Sequence, residues 1–135
     1  MRRIAIIILA LIGCLAEAGL GNPVLPSEGR TIVMFGAHWC APCRVELQDL
    51  PELAKAAYPD RIVLAWIDRR PSVARVAGVS TLPRTEAAEL LGRVSPDNHG
   101  LPLTVILDSN GSVCAELRSR LSVSLLNELR WSCVR

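Results

Sequence analysis

Two cysteines separated by two residues follow a run of apolar, β-branched residues. The run is Thr31–Phe35, and the segment Trp39-Cys-Ala-Pro-Cys43 comes soon after it. A continuous apolar run is typical of a strand that is buried on both faces. Pro42 suits the first turn of a helix, where its missing N–H costs no hydrogen bond. The pattern therefore predicts a buried strand, a short connection and a helix that starts at Cys40.

The position of Cys40 at a helix start favours redox chemistry. Free N–H groups and the helix dipole stabilise an anion there, and the thiolate is the reactive form of cysteine. We predict that Cys40 is an exposed, acidic nucleophile and that Cys43, one turn further along, is shielded and resolves the mixed disulfide. Trp39 is expected to cover the reactive sulfur and border the substrate groove. Trp39 and Pro42 do not suit a zinc knuckle, so no metal is predicted.

The N-terminus has the pattern of an export signal. Arg2-Arg3 precede the apolar run Ile4–Leu15, and Ala16-Glu17-Ala18 offers a small-residue cleavage site. We therefore predict a signal peptide over residues 1–18.

The segment 19–29 is rich in Gly, Pro and Ser and is interpreted as a leader, followed by one domain over 30–135. The apolar run is shorter than the ~20 residues of a spanning helix, which favours cleavage over an uncleaved membrane anchor. Attachment of a lipid to Cys14, within Leu11-Ile-Gly-Cys14, is a further alternative.

Charge and cysteine usage restrict the partners and the compartment. The chain has 15 basic and 13 acidic residues, without a basic stripe interleaved with aromatic residues, so no nucleic acid is expected. Disulfides persist outside the cytosol. Cys40 and Cys43 are too close in sequence to staple a fold, which indicates chemistry. Cys114 and Cys133 either form a second, structural disulfide or stay two buried thiols.

Strands and helices alternate along the rest of the chain. Pro51 should kink or divide the first helix, and Asn110-Gly111 indicates a hairpin. A strand–helix–strand order implies parallel strands with a right-handed crossover, and residues 69–99 show helix but no convincing strand. The predicted elements are a helix over Pro42–Ala57, a strand over Arg61–Asp68, one or two helical turns over Ser72–Ala77, a helix over Thr85–Arg93 with Thr85 as N-cap, strands over Leu103–Leu107 and Ser112–Leu117, and a helix over Leu121–Trp131 with Ser122 or Ser124 near its start.

The cysteine motif and a second motif resemble the thioredoxin superfamily, and more narrowly the TlpA/ResA-like envelope thiol–disulfide oxidoreductases. Phe35-Gly-Ala-His-Trp-Cys-Ala-Pro-Cys43 is similar to F-W-A-x-W-C-x-P-C, and Gly100–Gly111 is similar to G-x-P-x-T-x-x-x-D-x-x-G. Glu46 stands where this subgroup commonly carries a Glu. The resemblance covers about residues 28–131. It implies an α/β, thioredoxin-like fold: a central mixed β-sheet flanked by α-helices, with a short helical insert before the cis-proline strand.

The resemblance also implies roles outside the cysteine motif. Pro102, rather than Pro83, would be the cis-proline that faces the cysteines. Leu101 would offer main-chain hydrogen bonds to a bound peptide. Glu46 would accept the proton of Cys43.

Two positions depart from the family pattern. Met34 stands where thioredoxin carries a buried Asp, so that proton acceptor is missing. Gly36 stands where an aromatic residue is usual, which predicts a thinner apolar wall beside the active site.

The function implied is that of an exported reductase without a cofactor. It would take electrons from a membrane-embedded donor and reduce disulfide-containing envelope proteins such as apocytochrome c, as a monomer in the periplasm or on the outer face of the bacterial inner membrane. Two alternatives stay open. One is a disulfide oxidant or isomerase. The other is a copper chaperone that holds Cu(I) with Cys40, Cys43 and a histidine, for which His99 is the candidate.

Overall fold

The strand β1 (Thr31–Gly36) lies at the centre of a five-stranded sheet. On one side it pairs in parallel with β2 (Arg61–Trp66), which in turn pairs in parallel with the edge strand β3 (Val79–Thr81). On its other side it pairs antiparallel with β4 (Leu103–Leu107), and β5 (Val113–Leu117) closes that edge antiparallel to β4. The parallel β1–β2 pair confirms the parallel pairing predicted from the order of elements.

The computed structural model describes residues 29–134. The predicted signal peptide (1–18), the predicted leader up to residue 28 and Cys14 lie outside the described residues. Between residues 29 and 134, every helix is too short or too polar to cross a bilayer.

Helices cover both faces of the sheet. One face carries α1 (Ala41–Glu46), α2 (Leu50–Ala57) and α4 (Val123–Ser132), and the other carries α3 (Arg84–Val94). Each face has its own apolar cluster, and the cysteine motif belongs to the cluster under α1, α2 and α4. The predicted α/β class, a mixed sheet flanked by helices, is confirmed.

The long helix predicted over Pro42–Ala57 is divided, as Pro51 indicated. The first piece ends at Glu46, and the second begins at Leu50 with Pro51 in its first turn. In a continuous helix the Pro51 ring would clash with the carbonyl of residue 47. The break leaves the cysteines on a short helix of their own.

The region between β2 and α3 differs from the prediction. No helix forms over Ser72–Ala77, and β3 was not expected. Val73 and Val76 instead lie against the core cluster in a segment without regular secondary structure. Gly78 then turns the chain at a φ of +77°, a conformation that glycine adopts without steric cost. The turn allows β3 to satisfy the backbone groups along the open edge of β2.

The two predicted helix starts have different outcomes. Ser122 is the N-cap of α4, and its hydroxyl accepts a hydrogen bond from the Leu125 N–H at 3.3 Å. The prediction of Thr85 as an N-cap is wrong, because α3 begins at Arg84 with Pro83 at the cap position. The carbonyl of Pro83 accepts the first hydrogen bond of the helix, from the Ala87 N–H at 2.9 Å. No side chain caps the start of α3.

The end of α4 is attached to β5 and to the residue before β2 by two different interactions. Cys114 of β5 and Cys133 form a disulfide. Arg130 donates through Nε to the buried carboxylate of Asp60 at 2.8 Å. These attachments hold α4 across the face that carries the cysteine motif.

The Cys114–Cys133 disulfide should contribute strongly to stability. The two cysteines are 19 positions apart, and closing a loop of that size restricts the unfolded chain by about 3 kcal/mol. We expect the double variant Cys114→Ser/Cys133→Ser to lose about that much unfolding free energy in urea, with Cys40–Cys43 kept oxidised. Its far-ultraviolet circular dichroism should match the unaltered chain. A loss below about 1 kcal/mol would contradict this assignment.

Candidate active site

Cys40 and Cys43 form a disulfide at the N-terminus of α1. Cys40 is the N-cap residue, and its Sγ accepts a hydrogen bond from the backbone N–H of Cys43 at 3.3 Å. Pro42 lies in the first turn, as predicted. An N–H of the first helical turn, which has no partner within the helix, thus donates to the Cys40 sulfur. The same donor would stabilise a thiolate on that sulfur once the disulfide opens.

The exposure of the motif differs from the prediction. Cys40 is 4% exposed and Cys43 is 2% exposed, whereas Trp39 is 68% exposed. Cys40 was expected to be open to solvent. In the disulfide form that expectation is wrong, because Cys40 lies with Cys43 in the core cluster.

Trp66 fills the space beside Gly36, so the apolar wall is not thin. A Cβ on Gly36 would lie 2.8 Å from Nε1 of Trp66 and 3.2 Å from Cβ of Cys43. Gly36 pairs with Trp66 in the parallel β1–β2 register. The aromatic side chain is therefore present, but it comes from the neighbouring strand, and glycine is needed to admit it.

A His38–Asp68 pair borders the same edge of the sheet. The backbone N–H of His38 donates to Oδ2 of Asp68 at 2.8 Å, and Nδ1 of His38 lies 3.1 Å from Oδ1 of the same carboxylate. The imidazole meets the Trp66 ring edge-on, with 4.8 Å between ring centroids. Asp68 therefore anchors the loop that leads into Cys40.

Asp68 remains ionised over a wide pH range. Partial burial acts to raise its pKa, but hydrogen bonds from the side chain and backbone of His38 and the backbone of Arg69 outweigh this, and the pKa lies below its usual value. Neither Trp66 nor Asp68 was singled out from the sequence. The sequence pattern could have indicated both residues, because the carboxyl ends of parallel strands lie at the same end of a sheet. Trp66 is the last residue of β2, and Asp68 follows it by two residues.

Glu46 is a buried carboxyl group, 2% exposed, at the end of α1. Its Oε1 accepts a hydrogen bond from the Leu121 N–H at 2.5 Å. Desolvation raises the pKa of Glu46 to about 7, partly offset by that hydrogen bond and by Arg120, while Asp49 adds to the rise. Glu46 follows Cys43 by one helical turn, so α1 carries a carboxyl group with a pKa of about 7 one turn beyond Cys43.

The loop before β4 comes close to the disulfide. Leu103 pairs with Phe35, so Pro102 lies level with Gly36, which the Cys43 side chain approaches. The Leu101–Pro102 peptide bond is cis, and Pro83 has no such bond. A second cis bond, Tyr58–Pro59, was not expected.

Metal-binding side chains do not gather at this site. His99 lies on the exposed part of the loop before β4. Within the range 29–134, no three His, Cys, Asp or Glu side chains are grouped so that they could hold a metal ion.

Comparison with known proteins identifies the family. No protein-family model matches the chain. Thioredoxin 1 of Synechococcus elongatus is 30% identical over 77 residues, which are 56% of this chain and 71% of that protein. The chain belongs to the thioredoxin-like superfamily. A rice protein named probable nucleoredoxin 3 is 28% identical over 124 residues, or 78% of this chain, but the chain spans only 26% of its length.

Solved structures show the same thioredoxin-like fold. StoA from Bacillus subtilis has a TM-score of 0.57 and 16% identity, with 76% of this chain and 82% of that chain covered. A thiol:disulfide interchange protein from Chlorobium tepidum has a TM-score of 0.58 and 19% identity, with 80% and 82% covered. The narrower assignment to TlpA/ResA-like proteins remains a prediction.

The buried acid should make stability depend on pH. Glu46 in the unfolded chain ionises near its ordinary pKa of 4.5, but in the folded chain it ionises only near 7. The folded state therefore loses stability as pH rises through this window, by up to about 3 kcal/mol. We expect Glu46→Gln to be more stable than the unaltered chain at pH 8, and the difference to shrink toward pH 5, in urea unfolding of the disulfide form.

The exposed Glu52 of α2 offers a matched control. Glu52→Gln makes the same chemical change without removing a buried charge, so its effect should stay within about 0.5 kcal/mol at both pH values. A Glu46→Gln variant that is no more stable than the unaltered chain at pH 8 would contradict the raised pKa.

Proposed function

We propose that this chain is an exported thiol–disulfide reductase that acts on disulfides of envelope proteins. The observation that carries the proposal is the Cys40–Cys43 disulfide at the start of α1, with the carboxyl of Glu46 buried one turn behind it. A nucleophile under helix-start N–H groups and an acid that titrates near neutral pH are the two groups that dithiol exchange needs.

The first step uses Cys40. In the reduced protein its thiolate, stabilised by the Cys43 N–H, attacks one sulfur of the substrate disulfide. A bond forms between Cys40 and that sulfur, and the other substrate sulfur leaves as a thiolate and takes up a proton. The exposed Trp39 and the backbone of Leu101, next to Pro102, are the proposed contacts for the substrate chain.

The second step uses Cys43 and Glu46. Cys43 gives its proton to the Glu46 carboxylate and attacks Sγ of Cys40. The Cys40–Cys43 disulfide forms again, and the second substrate sulfur leaves and is protonated. The substrate has gained two electrons and two protons. The protein has lost two electrons and, once Glu46 releases the Cys43 proton, one proton; the solvent supplies the other, which it received when Cys40 ionised. A pKa near 7 suits Glu46 for this role, because it both accepts and releases a proton at neutral pH.

Two features support an exported location. The N-terminal residues carry the charge and apolar pattern of a signal peptide. The Cys114–Cys133 disulfide lies away from the reactive pair, and such structural disulfides persist in oxidising compartments. The proposed electron source is a dithiol protein in the membrane, and apocytochrome c is one candidate substrate.

Cys43→Ser should trap the first intermediate. Without the resolving sulfur, Cys40 remains joined to its substrate, so we expect disulfide-linked adducts when the variant is incubated with an envelope extract. Dithiothreitol should release them, and the released proteins are identified by mass spectrometry. Cys40→Ser/Cys43→Ser is the matched control. Adducts that form equally without Cys40, or no adducts at all, would contradict the assigned nucleophile.

The reduction potential should report the direction of electron flow. A reductase needs a stable disulfide form, and the reduction potential of thioredoxin is about −270 mV whereas that of the oxidant DsbA is about −120 mV. We expect the Cys40–Cys43 pair, equilibrated with glutathione or dithiothreitol, to lie near the thioredoxin value. A potential close to that of DsbA would favour the oxidant alternative.

A further inference from the structure

Thr104 is a buried hydroxyl whose hydrogen bonds are not satisfied. The residue is fully buried. Its Oγ1 finds no hydrogen-bond partner in the described part of the chain, residues 29–134, and no other buried side-chain nitrogen or oxygen there shares this state. A buried hydroxyl without a partner destabilises the form that contains it. The residues around Thr104 must therefore explain why a hydroxyl is tolerated at this position.

The register of the sheet places Thr104 under α1. Thr104 pairs with Met34 of β1, and side chains alternate between the two faces of a strand. Met34 belongs to the apolar cluster that contains Cys43, so Thr104 lies on the same face. Gly36, the next residue of β1 on that face, is approached by the Cys43 side chain.

The other strand beside Thr104 leads toward Glu46. Thr104 pairs with Leu117 of β5, and the chain that follows β5 supplies the Leu121 N–H that binds the Glu46 carboxylate. Thr104 is thus flanked by the strand next to Cys43 and by the strand that leads to the partner of Glu46. The other inward residues around it, Met34 and Ile106, are apolar.

We propose that the Thr104 hydroxyl is the hydrogen-bond partner of the Cys43 sulfur in the reduced protein. This deepens the proposed function and rests on it. In the disulfide form the Cys43 sulfur is bonded to Cys40 and has neither a proton nor a negative charge. Reduction adds two electrons and two protons. When the Cys43 proton passes to Glu46, the thiolate that remains accepts a hydrogen bond from Thr104, which keeps its own proton.

The proposal assigns Thr104 as a positioning residue that favours the dithiol form. Its hydroxyl is unsatisfied while the disulfide is closed and satisfied once the disulfide opens. Both effects shift the equilibrium toward the reduced form. Removing the hydroxyl without changing the size of the side chain should therefore favour the disulfide.

The test is the equilibrium of Cys40–Cys43 with glutathione in Thr104→Val, Thr104→Ser and the unaltered chain. Valine keeps the shape of threonine but lacks the hydroxyl, so we expect the equilibrium constant for reduction to fall about tenfold, equivalent to about 30 mV. Serine keeps the hydroxyl and should stay within about threefold of the unaltered chain. Thr31→Val, at the far end of β1, is the matched control and should have no effect.

Unfolding measurements separate this role from a merely structural one. Thr104→Val should raise the urea midpoint of the disulfide form and should not raise that of the dithiol form. An equal rise in both forms, or an equilibrium constant unchanged within twofold, would overturn the proposal. If Thr104→Val does not fold, Thr104→Ser and Thr104→Ala differ only in the hydroxyl and give the same comparison.

The same experiment distinguishes the two levels of inference. If Cys40–Cys43 of the unaltered chain does not exchange with glutathione, both the proposed function and the role of Thr104 fail. If it exchanges at a reducing potential and Thr104→Val leaves that potential unchanged, only the role of Thr104 fails.

Discussion

The parallel pairing of β1 with β2 is the constraint on which the site depends. In this register Gly36 lies beside Trp66, so two chain segments leave the sheet at the same edge. One begins α1 at Cys40, and the other carries Asp68. The Trp66 ring takes the space that a side chain on residue 36 would need, and Asp68 binds the loop before the cysteines. A shift of one residue would separate all of these groups.

Glu46 links α1 to the connection between β5 and α4. Its carboxyl is removed from water and its hydrogen bond comes from the Leu121 N–H, so its pKa depends on where the β5–α4 connection lies. That connection runs between two elements that the Cys114–Cys133 disulfide joins. The Cys114–Cys133 disulfide therefore helps to fix the environment of the Glu46 carboxyl.

The sequence predicts the features that depend on neighbouring residues. It does not predict the contacts between segments that are distant along the chain. The Cys40–Cys43 motif and the break at Pro51 depend on neighbours in the chain, and both were recognised. The short strand Val79–Thr81 was missed because three residues are too few to show the alternation of a strand. It pairs with the outer edge of β2. The predicted parallel strands place Asp68 at the same end of the sheet as the cysteine motif. Its contact with His38, 30 positions away, also needs the exact strand register, which composition and periodicity do not contain.

The two carboxylates around α1 have opposite pKa shifts, and this separates their roles. Glu46 is buried, so desolvation dominates and its pKa rises to about 7. Asp68 faces three hydrogen-bond donors from His38 and Arg69, so its pKa falls despite partial burial. A group with a pKa near the ambient pH can exchange protons, whereas one held well below it serves as a constant negative charge. Because Met34 offers no acid on β1, Glu46 is the proposed proton acceptor of Cys43, whereas Asp68 holds the cysteine loop in place.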